Sequence, residues 1–209
     1  MTKIKEKVPF LSEVKGFLAE DEMDTLYEMG LSSAKMGPCL EIGSYCGLST
    51  ICIGVGVRES GGILFSIDHH RGSEEHQVGE EYFDPDLYDE KLGRINTFNE
   101  FEKNIERALL LDNVVPIVAK SHIVARKWTT PLSFVFIDGS HSFESAKRDY
   151  ISWAPHIIPG GFLGIHDVFF DPSQGGDAPR RVYEMALASG LFEEYEFVNT
   201  LGILKRIEY

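Results

Sequence analysis

The sequence predicts an α/β fold: a doubly wound sheet of seven strands, mostly parallel, with an antiparallel last strand. Three observations predict it. Apolar strand-like runs alternate with stretches whose apolar residues recur at helical spacing. SFVFID, residues 133–138, is almost continuously apolar, as a strand buried on both faces requires. The last two strand-like runs, near 193–199 and 202–208, are too close for a helical crossover, so they pair antiparallel.

Taken in order, residues 11–35 carry Leu11, Val14, Phe17 and Leu18, then Met23, Leu26, Tyr27 and Leu31. The spacing is helical and broken near Gly16, which predicts one or two N-terminal helices. Residues 1–36 then form a helical extension and 37–209 the α/β domain. A strand is expected at 38–43. A helix follows at 47–57, with Leu48, Ile51, Cys52 and Val55 on one face. GGILFSID (61–68) is the second strand, introduced by a glycine pair. Residues 97–111 form a helix with Phe98, Phe101, Ile105, Ala108 and Leu109 facing inward. A third strand (113–121) and a short helix ending near Trp128 lead to the strand at 133–138. A helix at 142–154 stops at Pro155, and a fifth strand at 159–167 is entered through a proline-glycine turn. A helix at 178–190, ended by Gly190, precedes the closing pair. In such sheets ligands sit at the carboxyl ends of the strands, which directs attention to Gly43, Asp68, Lys120, Asp138 and Asp167.

The net charge is −13. That argues against a nucleic-acid backbone or an anionic membrane surface as partner, and no basic cluster offsets it. No apolar run approaches the ~20 residues needed to span a bilayer. The N-terminus MTKIKEKVPF has no apolar signal core, so secretion is not indicated and a cytoplasmic protein is expected. Cys39, Cys46 and Cys52 form no CxxC pair and read as buried thiols in a reducing compartment; a reactive thiol at Cys46 is the second reading. A small-molecule partner is expected, and a homodimer stays open.

Residues 72–90 carry eight acids and no lysine or arginine. The surrounding segment, 69–96, is too long for a simple strand-to-helix connection. Tyr82, Phe83 and Tyr88 among its acids suggest a lid over an acceptor pocket for a cationic or sugar-like molecule; a solvated surface loop is the alternative. Arg180 and Arg181 open a late helix, either to bind an acidic group or as a solvated helix end.

The stretch CLEIGSYCGLST (39–50) holds an acid at Glu41 and glycines at Gly43 and Gly47 between a strand and a helix. Glycine lets the backbone approach a ligand closely, and the helix N-terminus beyond it favours a carboxylate or phosphate. The spacing is GxxxG rather than GxGxxG, and the loop lacks a P-loop lysine. Glu41 would repel a pyrophosphate but hold an ammonium or sulfonium. Asp68, at the end of the second strand, suits the hydroxyls of a ribose. A tight turn without a ligand is the plain alternative.

This E-x-G-x-x-x-G pattern with its strand-end acid resembles the cofactor loop of class I S-adenosylmethionine-dependent methyltransferases, whose sheet is Rossmann-like. FVFIDGSHSFESAKRDYISWAPHIIPGGFLGIHD (134–167) resembles a subfamily with an Asp-Gly-x-His segment, a helix, then Pro-Gly-Gly and His-Asp. The subfamily includes O-methyltransferases of macrolide sugars and other small molecules, distantly related to the catechol and caffeoyl-coenzyme A enzymes. The resemblance implies that Glu41, Gly43, Ser44, Tyr45, Gly47 and Ser49 surround the methionine part of S-adenosyl-L-methionine. It implies that Asp68 takes the ribose and that Ala119, Lys120 and Ser121 flank the adenine. His69 and Asp138 are counted with the cofactor contacts.

Methyl transfer to a hydroxyl needs alignment and removal of a proton. Asp138 and Asp167 end neighbouring strands, and two converging carboxylates suggest a hard cation such as Mg²⁺. His141, three residues past Asp138, is the candidate general base; the catechol-type relatives place a lysine at that offset. They also follow the second aspartate with an asparagine ligand, where this chain has Val168. Asp171 or an acid from 74–90 could replace it. His166 is expected to point to the other side of the strand from Asp167. Asp138 as a helix cap and His141 as a packed neutral residue are the plain alternatives. The leading expectation is an O-methyltransferase for a small molecule; the others are a non-catalytic nucleotide- or cofactor-binding module and an NAD-dependent oxidoreductase or epimerase.

Overall fold

A computed structural model describes residues 3–80, 82–140, 142–171, 173 and 175–207. Its elements in chain order are α1 (Ile4–Lys7), α2 (Glu20–Ser33), β1 (Cys39–Ile42), α3 (Leu48–Glu59), β2 (Leu64–Asp68), β3 (Tyr88–Asp89), β4 (Arg94–Ile95) and α4 (Phe98–Arg107). Then come β5 (Val114–Val118), α5 (Ser121–Ala125), β6 (Leu132–Ile137), α6 (Phe143–Trp153), β7 (Ile157–Ile165), α7 (Ala178–Ala188), β8 (Phe192–Val198) and β9 (Leu201–Arg206).

Seven strands form one sheet in the order β5-β2-β1-β6-β7-β9-β8. β1, β2, β5, β6 and β7 pair parallel, whereas β9 runs antiparallel to both β7 and β8. The expected antiparallel last strand is therefore present, inserted beside β7 rather than added at the rim. The chain builds outward from β1 through β2 to β5, then returns to start β6 on the other flank. That reversal between β1 and β6 is the switch point, where a crevice opens at the strands' carboxyl ends.

Strand alternation decides which side chain meets which layer. Along β6, Phe134 and Phe136 join the core with Leu26, Ile51, Val55 and Phe101, from the face covered by α2, α3 and α4. Val135 and Ile137 join the opposite core with Tyr150, Trp153 and Val182 from α6 and α7. Each fully buried side chain of this size contributes about 1.5–3 kcal/mol. The same alternation puts Glu41 beside Cys39 on the α3 face, although it is an acid.

Several expected boundaries move. Leu11–Glu13 is a single 3-10 turn, and the chain then runs extended to α2. Phe17, expected on a helix face, is 62% exposed. Leu109 was expected to face inward from a helix reaching 111. Instead Leu109 takes a left-handed φ of 59°, which ends α4 and leaves it 77% exposed while Leu110 turns into the core. The acidic insertion contains a small β3-β4 ribbon, and Leu87 and Ile95 pack with Cys46 beneath it. Among the described residues no helix is long and apolar enough to cross a membrane.

Candidate active site

The β1–α3 turn is built from left-handed residues. Gly43 has φ 88° and packs so tightly that a Cβ there would lie 1.9 Å from the Asp138 carbonyl oxygen. Tyr45 (φ 46°) and Gly47 (φ 95°) repeat the conformation, and Gly47 opens α3. The two flanking glycines are thus demanded by close approach and by handedness. Asp68 ties this turn to the end of β2. Its Oδ2 accepts the backbone N–H groups of Ser44 (3.0 Å) and Tyr45 (2.9 Å), and Oδ1 accepts that of His70 (2.7 Å).

Two confluent cavities open over this edge. The smaller, about 360 Å³, is lined by Gly43, Asp68, His69, Ala119, Lys120, Ser121, Ser142, Arg148 and Asp149, among others. The larger, about 470 Å³, takes in Ser44, Tyr45, Ser49, Asp138, His166 and Asp167, with Lys15, Phe17, His76 and Tyr82 on its outer wall. Gly43, Asp68 and His69 border both. Asp149 accepts a short hydrogen bond from the Ser121 hydroxyl, and burial raises its carboxyl above the ordinary range.

Glu41 and Gly47 line neither cavity. Glu41 lies one layer below, fully buried, its Oε2 accepting from Thr50 (2.5 Å) and Ser66 (2.9 Å) while Oε1 has no hydrogen-bond partner. Burial pushes its carboxyl up to about 7, against the lowering effect of the neighbouring hydroxyls. His70 is also buried, bonded to Thr97 (2.8 Å) and packed against Phe98 and Phe101. Cys46 is buried, and burial pushes its thiol up to about 12, which makes it a poor nucleophile. His141 lies outside the described residues.

Asp138 follows β6 and Asp167 follows β7. His166 was expected on the far side of the strand from Asp167, but the two side chains meet. Asp167 adopts a left-handed φ of 57°, which breaks the strand alternation and returns its carboxylate to the His166 side. The His166 Nδ1 lies 3.3 Å from Asp138 Oδ1 and 3.4 Å from Asp167 Oδ2. Its Nε2 lies 3.1 Å from Glu22 Oε2. Burial alone would lower the His166 pKa, but Asp138, Asp167 and Glu22 together drive it strongly up. Burial would likewise raise Glu22, but His166 and the N–H groups of Ala19 and Thr200 bring it below its ordinary value.

Glu22 escaped sequence reasoning because it reads as one more acid in the first turn of an acidic helix. The only signal was its place among Met23, Leu26 and Tyr27, an acid on an apolar stripe. Lys15 was also missed. It bridges Asp84 (2.6 Å) and Asp86 (3.1 Å), tying the N-terminal segment to the acidic insertion. The rings of Phe17 and Tyr82 (5.5 Å) and of Tyr45 and His76 (5.1 Å) pack together at the same place. Phe83 and Tyr88 instead pack with the core under the ribbon. Arg180 donates to the Phe170 carbonyl (2.8 Å) and Arg181 stacks 3.7 Å from the Phe143 ring centroid; neither lines a cavity.

A parallel sheet with an inserted antiparallel strand, a left-handed glycine turn at its switch point and acids ringing a double cavity define a class I methyltransferase architecture. The chain belongs to the methyltransferase domain family Methyltransf_24, whose model matches residues 40–168, more than half its length. Solved structures share the fold at low identity. The O-methyltransferase from Bacillus cereus, in complex with SAH, is 19% identical with a TM-score of 0.62, covering 98% of this chain and 90% of that one. TomG, an O-methyltransferase of tomaymycin synthesis from Streptomyces achromogenes in complex with SAM, is 14% identical with a TM-score of 0.63, covering 92% and 82%. The SAH-bound Podospora anserina methyltransferase PaMTH1 is 10% identical with a TM-score of 0.66, covering 98% and 87%.

Proposed function

We propose that this protein transfers the methyl group of S-adenosyl-L-methionine to a hydroxyl oxygen of a small molecule. The observation that carries the reading is the junction of the two cavities at Gly43 and Asp68. The smaller suits adenosine, with Ala119, Lys120 and Ser121 beside the base. A carboxylate can accept about four hydrogen bonds, so Asp68 keeps capacity for one ribose hydroxyl beyond the three N–H groups it holds. The methionine carboxylate then faces the N-terminus of α3 at Ser44 and Ser49, where helix N–H groups favour an anion. Glu41, beneath the turn, supports the loop rather than touching the cofactor.

The methyl group points into the larger cavity, whose outer wall of Phe17, Tyr45 and Tyr82 receives the acceptor. The acceptor oxygen attacks the methyl carbon as the carbon–sulfur bond breaks; the electron pair stays on sulfur, giving S-adenosylhomocysteine. The hydroxyl proton must pass to a base at this edge. His141 is assigned that role, and Asp138, in the wall of the larger cavity, is the second acceptor. Asp138 and Asp167, 24% and 20% exposed, bring two carboxylates to one point and so fit a divalent cation. Bound there, such an ion would lower the pKa of the acceptor hydroxyl.

The test is to incubate the full chain with methyl-labelled S-adenosyl-L-methionine and a panel of hydroxylated small molecules. Label in an O-methyl product is the expected result. Tight cofactor binding with no transfer across the panel would contradict it.

A further inference from the structure

We infer that His166 completes the carboxylate pair Asp138/Asp167 as a nitrogen ligand, oriented by Glu22, so that the site selects a transition-series divalent ion such as Mn²⁺ over Mg²⁺. The inference rests on the reading of that pair as a cation site.

The spacing carries it. One donor atom each from Asp138, His166 and Asp167 falls within 4.8 Å of the others. Ligands held at about 2.0–2.2 Å around one ion stand roughly 3–4 Å apart. The Nδ1 separations of 3.3 and 3.4 Å match that edge length. Charge-assisted N–H···O bonds run about 2.7–2.9 Å; both contacts are longer than that, and the one to Asp138 is still within hydrogen-bond reach.

The other ring nitrogen supplies the second observation. A metal-bound imidazole nearly always donates its remaining N–H to a carboxylate, a backbone carbonyl or water, which fixes the tautomer and the ring. His166 Nε2 has that partner in Glu22 Oε2 at 3.1 Å. Glu22 is itself held by the N–H of Ala19 (2.9 Å), the N–H of Thr200 (3.0 Å) and the Thr200 hydroxyl (2.8 Å). The His166 side chain is 3% exposed, and its Nε2 also lies 3.4 Å from the Thr200 hydroxyl. Nδ1 is therefore aimed at the two aspartates by a residue of the N-terminal helix, and an ion bound there would displace the Nδ1 proton to solvent.

The side chain after Asp167 offers no oxygen: Val168 is apolar and 1% exposed. The chain thus has a nitrogen donor one position before the second aspartate and none after it. Mg²⁺ takes oxygen ligands and keeps its waters, whereas imidazole suits the transition-series ions.

The experiment titrates Mn²⁺ into the chelator-treated full chain, following free Mn²⁺ by electron paramagnetic resonance, then competes with Mg²⁺. Echo modulation of the bound Mn²⁺ reads nitrogen coordination. Expected are one Mn²⁺ per chain, at least about tenfold tighter than Mg²⁺, and a nitrogen modulation lost in His166→Ala. Glu22→Gln should weaken Mn²⁺ by about 10–100-fold, with circular dichroism checking the fold. If His166→Ala does not fold, the wild-type nitrogen signal and Glu22→Gln decide. Mg²⁺ binding as tightly as Mn²⁺ with no nitrogen signal would keep the carboxylate pair and overturn the role of His166. Binding of neither ion would overturn both readings. S-adenosylhomocysteine titration of the same samples reports the cofactor proposal separately.

Discussion

Glu22 and His166 are 144 positions apart in sequence and 3.1 Å apart in space. Their contact fastens the first turn of α2 to the end of β7, so the N-terminal helix is joined to the carboxyl edge of the sheet. Both side chains are 3% exposed. Glu22→Ala takes away one of the three carboxylates about His166, which keeps Asp138 and Asp167, and leaves the Ala19 and Thr200 donors without their acceptor. A hydrogen bond to a charged group is worth about 1.5–3 kcal/mol, and urea titrations should show an unfolding free energy lower by at least that amount. Glu22→Gln, which keeps a hydrogen-bonding oxygen, should lose clearly less.

Asp68 gives a second expectation. Its two oxygens both accept backbone N–H bonds, two at Oδ2 and one at Oδ1. In Asp68→Asn one of those atoms becomes an NH₂ facing an N–H donor. The turn should loosen, with faster amide exchange at Ser44 and Tyr45. S-adenosylhomocysteine affinity should fall by about tenfold or more, since a lost charge-assisted hydrogen bond is worth about 1.5–3 kcal/mol.

Gly43 and Gly61 form a matched pair. Both have positive φ, but a Cβ on Gly43 meets the Asp138 carbonyl oxygen at 1.9 Å, whereas Gly61 has nothing within 4 Å. Gly61→Ala should cost about 1–2 kcal/mol, the left-handed penalty alone. Gly43→Ala should cost several times more or fail to fold, read by thermal unfolding.

The buried Glu41 predicts a pH dependence. Its carboxyl, ordinarily near 4.5, is pushed up to about 7. Between those values the folded chain holds a proton that the unfolded chain has released. Stability contributed by this group is therefore full below pH 4.5 and falls as pH rises through about 7. The full difference is about 3 kcal/mol at 1.36 kcal/mol per unit. Glu41→Gln should flatten that slope in denaturant titrations run from pH 5 to about 8.

Lys15 ties the N-terminal segment to the acidic insertion beside the larger cavity. Its bridges to Asp84 and Asp86 are partly exposed, so Lys15→Ala should change stability by no more than about 1 kcal/mol. The acceptor KM should rise several-fold and become less sensitive to salt, while S-adenosylhomocysteine affinity stays close to that of the parent. Equal effects on both ligands would place the clasp's influence on the cofactor side.

The succession of strands and helices along the chain and the strand-end acids were legible because apolar alternation and punctuation by glycine and proline are local signals. Gly43 and Asp68 could be singled out from the turn alone, before any contact was known. His166 could not: strand periodicity pointed it away from Asp167, and only the left-handed backbone at Asp167 reverses that. Glu22 and Lys15 act across long sequence separations, where no local pattern carries information. Leu109 shows the same limit at a helix end, since one left-handed residue exchanges it for Leu110 in the core.

Calorimetric titration of the full chain with S-adenosylhomocysteine and, in parallel, with NAD separates a methyl-donor site from a dinucleotide site. One saturable site per chain is expected for S-adenosylhomocysteine, weakened in Asp68→Ala, with no measurable heat for NAD. Saturable binding of NAD alone, or silence with S-adenosylhomocysteine, would contradict a methyl-donor site.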